Sequence, residues 1–329
     1  MVDFSQYEYK NALTTTANGT NRPELQDIYD SAIQTTLNEM STFYRLVNKV
    51  QNKGDYASYT VRSGRNPSIG SGAELPPVTS GFSGRKKLTT VIKKQYAFPE
   101  VTDFEIAAQA TAGVSPVDIY TQEVQNATID LLSTPTTGVN AQLFSSGLGN
   151  GGLDIQGIKA WVDDSAGTLS TVTTIAGLPR GAAGNEFLNA GFFNNTAEAV
   201  SIPRLRQAIA ALQVAGGHLD RTIIVTTPAL KNRILDTMIT GQRYTTEAKF
   251  GFGVMELPTF DDLPIYADKD CESGKIYMLD MSVVEMRLLK DFFYQDMAKT
   301  ATTRKGMVAM FGELVVKASD FCAVLANKS

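Results

Sequence analysis

Histidine, the side chain best suited to acid–base catalysis, is almost absent, because His218 is the single histidine among 329 residues. One histidine excludes His-rich metal sites and leaves only one position for a Ser/His or Cys/His pair. His218 directly follows Gly216 and Gly217, a pair typical of a helix end, and the sequence contains no GxSxG nucleophile turn. We therefore interpret His218 as a helix-terminal residue without a catalytic role.

Three glycines, Gly147, Gly149 and Gly152, have the GxGxxG spacing of a dinucleotide-binding turn. Such a turn requires a strand before the glycines and a helix after them, because the pyrophosphate binds at the helix N-terminus. In this sequence a helical pattern precedes the glycines, and residues 157–162 that follow them resemble a strand. Since the order is inverted, we predict a flexible turn and no cofactor.

Carboxylates and cysteines, the other side chains that bind metals, lack the spacing of known sites. Acidic pairs lie in three predicted loops, at 163–164, at 261–262, and at 268 and 270. None has the EF-hand spacing, and the turn chemistry of aspartate accounts for all three. Cys271 and Cys322 form no CxxC motif, which argues against structural zinc and favours a reducing compartment with at most one disulfide. We predict no metal site and no catalytic residue.

The composition limits the class of protein further. The chain is 43% hydrophobic and 19% charged with a net charge of −4, and its 329 residues predict about two domains. These values exclude a disordered chain, collagen, a coiled coil and a globally basic nucleic-acid binder. The N-terminus lacks the pattern of a signal peptide, and no window approaches the roughly 18 apolar residues of a membrane span. We expect a cytoplasmic product without a membrane partner.

The predicted elements surround one unusual segment. Apolar periodicity predicts a helix over about 23–50. After it, strand-like runs near 56–61 and 88–92 enclose residues 64–84. Twelve of these enclosed residues are Gly, Pro or Ser. We interpret this segment as a long hairpin whose tip cannot build a core of its own. A further helix is predicted over about 115–132, and it begins with the capping box Ser115–Asp118. From residue 201 the pattern is α/β, with strands predicted at 222–226, 263–267, 275–279, 283–289, 308–316 and 321–325.

Charge is distributed unevenly between the hairpin and the segment that follows it. Residues 53–95 carry eight basic and two acidic residues, a net charge of +6, whereas residues 96–200 carry a net charge of −9. Adjacent blocks of opposite sign predict that the hairpin lies against an acidic surface, either its own or a neighbour's. Phosphate binding is the less favoured alternative. The candidate contact residues are Arg62, Arg65, Arg85, Lys86, Lys87, Lys93 and Lys94.

The order of these elements resembles the major capsid protein of tailed bacteriophages, with its Hong Kong 97-type fold. Tyr59–Lys93 resembles the extended loop of that family, and Ser115–Leu132 resembles its spine helix. The strand at 222–226 with the helix after it resembles a step of the axial domain, and segments 263–266, 274–280 and 312–316 resemble the family's closing strands. The resemblance extends over nearly the whole chain.

The resemblance implies an α+β fold with an N-terminal arm and helix (1–52), an extended hairpin loop (53–95), a peripheral domain with a long spine helix (96–162 and 297–329) and an axial α/β domain (163–296). It implies a subunit that self-assembles as hexamers and pentamers into an icosahedral virion shell. The shell would enclose double-stranded DNA without sequence-specific binding and assemble in the host cytoplasm, with a portal, a decoration protein and a separate scaffolding protein as candidate partners. Segment 64–84 contains no lysine, so we predict no lysine–asparagine cross-link of the kind that some members form from the loop tip.

Two alternatives stay open at this point. An encapsulin-like nanocompartment shell would share the fold and enclose a cargo enzyme instead of DNA. A two-domain α/β enzyme without a recognisable motif belongs to a different class, and it requires a pocket with converging polar groups.

Overall fold

A computed structural model of the chain describes residues 41–69, 80–112, 119–241, 258–299 and 302–329. Its helices are α1 (Thr42–Leu46), α2 (Asp103–Ala112), α3 (Ile119–Ser133), α4 (Val139–Gln142), α5 (Ile158–Trp161), α6 (Ile202–Ala215) and α7 (Pro228–Gly241). Its strands are β1 (Asn48–Gln51), β2 (Tyr56–Arg62), β3 (Arg85–Val91), β4 (Lys93–Ala97), β5 (Glu100–Thr102), β6 (Thr174–Ile175), β7 (Leu178–Pro179), β8 (Phe192–Asn194), β9 (Thr222–Thr226), β10 (Thr259–Phe260), β11 (Leu263–Ala267), β12 (Ile276–Asp280), β13 (Val284–Asp296), β14 (Thr303–Val316) and β15 (Ala323–Leu325). By their contacts, the residues form two compact units, a smaller one with Ala97–Ala127 and Tyr294–Val308 and a larger one with the rest of the described chain.

A six-stranded mixed sheet forms the core of the larger unit, in the order β10-β11-β9-β12-β15-β8. Strand β9 pairs parallel with β11 and antiparallel with β12, and all five of its residues are buried. Helices α6 and α7 cover one face of the sheet through an apolar cluster that includes Leu205, Leu212 and Ile234. The predictions of strands at 222–226 and 263–267 are confirmed residue for residue.

Helix α6 shows why the local sequence predicted its end correctly. Its buried residues Leu205, Ile209 and Leu212 recur at intervals of four and three, which places them on one helical face. Gly216 ends the helix with a left-handed φ of 99°, a conformation that glycine adopts without steric cost. His218 follows this turn, as predicted.

A second sheet path in the larger unit runs in the order β1-β13-β14-β4. The sequence predicted a helix as far as residue 50, but α1 ends at Leu46 and β1 begins at Asn48. Strand β1 pairs parallel with β13, where Asn48 lies opposite Glu285. Hydrogen bonding to a strand far away in the sequence therefore overrides the local helical periodicity. The rest of the predicted helix lies outside the described residues.

The smaller unit contains β5, α2, the first part of α3, the end of β13 and the beginning of β14. Strand β5 pairs antiparallel with β14, with Thr102 opposite Thr303. The hydroxyl groups of Tyr120 and Tyr294 lie 2.5 Å apart, and a Cβ atom at Gly306 would overlap both side chains. A glycine at 306 thus permits the close approach of the two tyrosines.

One prediction of a strand is wrong. Residues 157–162 contain helix α5 instead of a strand, because Ile158, Ala160 and Trp161 are all fully buried and a short apolar run fits either element. The predicted capping box at 115–118 lies outside the described residues, whereas α3 confirms the helix beyond it. The C-terminal strand β15 pairs with β12 and β8, so residues 323–325 belong to the six-stranded sheet.

Candidate functional site

The candidate contact residues lie on and beside an antiparallel hairpin formed by β2 and β3. In its register Tyr59 lies opposite Leu88, Thr60 opposite Lys87, and Arg62 opposite Arg85. Burial alternates along both strands, as expected when one face of a hairpin is packed and the other is exposed. The inner face consists of Ala57, Tyr59, Leu88 and Thr90, all of which are buried.

The inner face packs on the same chain, one of the two possibilities that the charge pattern left open. Leu88 on this face is completely buried. The Thr89 backbone N–H donates to the Ala176 carbonyl at 3.2 Å, and Lys86 Nζ donates to Asn185 Oδ1. The stem of the hairpin therefore docks on the segment that contains β6 and β7.

Two hydroxyl groups on this inner face have no hydrogen-bond partner among the described residues, those of Tyr59 and Thr90. Burial raises the pKa of Tyr59, and the nearby Glu285 carboxylate adds to the rise. A buried hydroxyl without a partner weakens packing, since its desolvation is not offset. The stem is thus held mainly by its apolar side chains and by the contacts of Lys86 and Thr89.

The outer face of the hairpin is cationic. Arg62, Arg85 and Lys87 are exposed on it, and Arg65 is exposed just beyond β2. Among the residues that the structure describes, none of the four forms an ion pair. Like charges directly opposite each other destabilise a hairpin, so the Arg62–Arg85 pair is unfavourable in the isolated chain. We call these four residues the cationic face.

The other three predicted contact residues are engaged within the chain. Lys86 binds Asn185, and Lys93 Nζ donates to the Gly152 carbonyl at 2.5 Å. The Lys94 ammonium lies 5.5 Å from the Tyr96 ring centroid and 5.7 Å from that of Phe311. The structure thus separates the seven predicted residues into three with internal contacts and four that form the cationic face.

The acidic block at 96–200 is largely occupied inside the chain. Ion pairs join Glu100 to Lys305, Asp103 to Lys299 and Glu198 to Lys328, at 3.0, 2.6 and 2.8 Å. Asp163 is buried and accepts hydrogen bonds from the backbone N–H groups of Asp164, Leu169 and Ser170. Among described residues of the block, Glu123, Asp130 and Asp154 have neither an ion pair nor a side-chain hydrogen bond.

One acidic residue of this block does meet the hairpin. Glu186 accepts a hydrogen bond from the Gly184 N–H at 2.9 Å, and the charge of Lys86 lies nearby. Both effects lower the pKa of Glu186, with the backbone hydrogen bonds as the larger cause. Lys86 is therefore the basic residue through which the stem contacts its own chain, and the cationic face is not used in that contact.

Sequence reasoning did not single out two exposed apolar residues that lie beyond the paired strands of the hairpin. Ile69 and Phe82 flank the undescribed residues 70–79, and their exposed fractions are 78% and 86%. Isolated apolar side chains with high exposure are common on protein surfaces, so these two do not by themselves mark a binding site. The signal was present as two isolated apolar residues in a segment dominated by Gly, Pro and Ser.

The motifs considered for chemistry have structural roles. Gly149–Gly152 forms a short 3-10 turn in which Asn150 and Gly151 have left-handed backbones. The His218 N–H donates to Asp280, and its ring lies against Phe321 with centroids 6.5 Å apart. Cys271 and Cys322 are both free and buried.

The loop carboxylates also take part in local structure. Asp261 and Asp262 both have left-handed backbones, as in a turn. Asp268 is buried and accepts hydrogen bonds from the Phe43 N–H at 2.8 Å and from the Asn140 amide at 3.0 Å. In the described part of the chain, no three His, Cys, Asp or Glu side chains are grouped as metal ligands. None of the described helices is long and apolar enough to cross a membrane.

Comparison with known proteins identifies relatives of this arrangement. A family model described as the SU10 major capsid protein matches residues 154–329. The capsid of cyanophage A-1(L) is similar in structure with a TM-score of 0.71 and 15% identity, over 96% of this chain and 99% of that one. The capsid of a native GTA particle gives a TM-score of 0.63 at 12% identity, over 95% and 100% of the two chains.

A third similar structure is that of a different kind of shell. The SrpI encapsulin of Synechococcus elongatus gives a TM-score of 0.58 at 11% identity, over 95% of this chain and 97% of that one. At these identities the likeness shows a shared fold. No curated protein matches the chain in sequence.

Proposed function

The chain belongs to the SU10 major capsid protein family, and from that premise we propose that it assembles as hexamers and pentamers into an icosahedral shell enclosing double-stranded DNA. The predicted α+β fold of the Hong Kong 97 type is confirmed by the similar capsid structures. The family makes the chain a structural component of a capsid. The function of the chain is therefore to contact other copies of itself. The cationic face is the observation that supports a specific contact of this kind.

The cationic face favours a second copy as its partner because its charge is left uncompensated within one chain. Arg62 and Arg85 lie directly opposite each other, and the inner face of the same hairpin is already buried. An acidic surface on a neighbouring subunit would convert this repulsion into attraction and set the register of the contact. The carboxylates of exposed Asp130 and half-buried Asp154, which have no ion pair among described residues, provide negative charge on such a neighbour.

The charge of the chain favours a shell that encloses DNA over a protein with a dedicated DNA-binding surface. The net charge is −4, and the cationic face has four residues, too few for the broad basic surface of a DNA-binding protein. We propose that DNA is held without sequence-specific binding, inside a virion shell assembled in the host cytoplasm. A portal, a decoration protein and a separate scaffolding protein are its proposed partners, and no catalytic residue takes part.

An encapsulin-like nanocompartment is the second candidate, favoured by the likeness to the SrpI encapsulin. The two functions differ in the content of the shell. Nuclease-protected double-stranded DNA inside native particles supports the virion, whereas a tightly bound cargo enzyme in its place supports the nanocompartment. A two-domain enzyme lacks support, since the chain belongs to a capsid family.

The role of the cationic face is tested by reversing its charge. In the double variant Arg62→Glu/Arg85→Glu we expect closed shells to be lost in electron micrographs and capsomers or single chains to dominate in light scattering. The matched control is Lys231→Glu/Arg233→Glu on α7, which changes the net charge equally and should keep its shells. Shells at wild-type yield in the hairpin variant would contradict this role.

A further inference from the structure

The glycine-rich turn Gly149–Gly152 contains an Asn-Gly pair, Asn150 and Gly151, that is open to solvent. Both residues are exposed, and the Asn150 carboxamide has no hydrogen-bond partner among the described residues. An asparagine before a glycine has a distinct reactivity, because no side chain shields the following backbone nitrogen from the carboxamide carbon. The turn therefore holds an electrophile and a nucleophile within one dipeptide.

The backbone of this pair is held in the left-handed region. Asn150 has φ 48° and ψ 41°, and Gly151 has φ 67° and ψ 24°. A residue with a Cβ atom occupies this region at a steric cost, although asparagine tolerates it better than most. Rotation about ψ of Asn150 relieves this cost. The same rotation moves the Gly151 nitrogen relative to the Asn150 side chain, as an attack on Cγ requires.

The turn has the space that this rotation needs. A Cβ atom built on Gly151 or on Gly152 would meet no other atom within 4 Å. The backbone hydrogen bond that closes the turn, from the Leu153 N–H to the Asn150 carbonyl, is long at 3.4 Å. A shorter contact anchors the turn just after the pair, where Lys93 Nζ donates to the Gly152 carbonyl at 2.5 Å. The pair can therefore rearrange while this anchor is kept.

Another asparagine, ten positions earlier in the chain, has the opposite environment. Asn140 is completely buried, and its amide donates to Asp268 at 3.0 Å and to Asp270 at 2.7 Å. The next residue is Ala141, whose Cβ atom crowds the backbone nitrogen that would attack. Because the reaction requires a carboxamide that is free to meet its own backbone, we expect Asn150 to react and Asn140 to stay intact in the same folded chain.

We propose that Asn150 is a modification site at which the folded chain converts asparagine to isoaspartate without an enzyme. The Gly151 backbone nitrogen adds to Asn150 Cγ, its proton passes through water to Nδ2, and the Cγ–Nδ2 bond breaks so that ammonia leaves. The product is a succinimide ring, which water then opens. Breaking the bond from the ring nitrogen to the backbone carbonyl carbon gives isoaspartate, and breaking the bond to Cγ gives aspartate. Water is the single co-reactant, and nothing is oxidised or reduced.

The conversion changes the base of the hairpin with time. Either product adds one negative charge to the turn, and isoaspartate also lengthens its backbone by one carbon atom. Lys93, the first residue of β4, binds the carbonyl of Gly152, two residues after the modified position. A new carboxylate there attracts the ammonium of Lys93 and alters the turn that this lysine holds. The inference does not rest on the proposed function, since it requires only the exposed turn of the folded chain.

The test is peptide mapping of the full-length chain, fresh and after prolonged incubation in the folded state at neutral pH. A protease that cleaves before aspartate yields peptide 130–153, whose two asparagines are Asn140 and Asn150. We expect this peptide to gain the mass difference between a carboxamide and a carboxylate, and fragmentation to assign the change to position 150. An isoaspartyl methyltransferase should methylate the product, and the protease should not cleave before it.

Two glycine variants separate the chemistry from the fold. Gly151→Ala places a Cβ atom beside the attacking nitrogen, so the conversion should slow by about tenfold or more. Gly152→Ala is the matched control, because both glycines have a positive φ and open space at the Cβ position. The control variant keeps the Asn150–Gly151 bond and should convert at close to the wild-type rate.

Three results would overturn the proposal. One is an incubated wild type, shown to be folded by circular dichroism, that keeps its carboxamide at position 150. Equal conversion at Asn140 would show that unfolded chains react. Aspartate formed without isoaspartate would show direct hydrolysis without the succinimide. Because the wild-type chain itself is measured, misfolding of a variant does not obscure the outcome.

Discussion

Arg62 lies directly opposite Arg85 across the β2–β3 hairpin, and both guanidinium groups are exposed without an ion pair among the described residues. The hairpin carries this unfavourable pair although its inner face is well packed, with Leu88 completely buried. A feature that costs stability in the single chain and has no internal use points to a role between chains. A charge reversal at Arg85 separates the effect within one chain from the effect between chains.

Arg85→Glu should change stability and assembly in opposite directions. Within one chain the variant converts a repulsive cross-strand pair into an attractive one with Arg62, so we expect the unassembled chain to gain about 0.2–1 kcal/mol in free energy of unfolding. Between chains it removes positive charge from the cationic face, so the yield of shells should fall. Denaturant unfolding and light scattering measure the two effects, and a loss of stability together with normal assembly would contradict the account.

Leu88→Ala tests whether the stem docks on its own chain. Leu88 is 0% exposed, and truncating a buried leucine typically costs about 2–5 kcal/mol. We expect a loss in that range from denaturant unfolding of the unassembled chain. The neighbouring exposed residue supplies the control, since Thr89→Ala should change stability by less than about 0.5 kcal/mol. Equal, small effects of both changes would show that the stem is not packed.

Asp320 should make the chain less stable as the pH rises. Its Oδ1 is buried without a hydrogen-bond partner among the described residues, and burial raises the pKa of this carboxyl to about 6. An unfolded aspartate has a pKa near 3.9, so the folded state binds more protons between these values and loses stability as the pH increases from about 4 to above 6. The ionised carboxylate is then the unfavourable form at neutral pH.

The variant Asp320→Asn removes this ionisation. At pH 7.5 we expect it to be more stable than the wild type by about 2 kcal/mol, a value reduced for partial exposure, with the difference shrinking toward pH 4. Asp220→Asn at an exposed position is the control and should have little effect. Denaturant unfolding across this pH range provides the comparison, and a pH-independent difference would rule out the titration of Asp320 as its cause.

Denaturing gels of intact particles should show one band near 35.6 kDa and no ladder above it. The reason is chemical, because residues 64–84 contain no lysine that could link one loop tip to a neighbouring subunit. Particles boiled in denaturant and reductant provide the sample. A ladder of multiples would show a covalent link between subunits that the sequence does not predict.

The sequence predicts elements well where local signals agree and poorly where a distant strand decides. Strand β9 was predicted at its true bounds because five strand-forming residues lie between the Gly216–Gly217 turn and Pro228. Residues 157–162 were assigned to a strand because a buried helix of one turn has the same apolar run. Strand β1 was missed because its partner, β13, begins far along the chain at Val284.

For the candidate site too, the sequence predicts features with a local signal and does not predict contacts between distant residues. The alternation of the hairpin and the excess of basic residues are visible in the sequence, so all four residues of the cationic face were among the predicted contacts. The internal contacts of Lys86 and Lys93 were not predictable, because Asn185 and Gly152 lie 99 and 59 positions away.

Electron microscopy of the purified wild-type chain, together with light scattering, tests the central claim most directly. The account predicts closed shells of uniform diameter built from hexameric and pentameric capsomers, with a scattering mass far above that of one 35.6 kDa chain. A preparation that stays monomeric at high concentration, with no shell in the micrographs either alone or after co-expression with the proposed scaffolding protein, would contradict this claim.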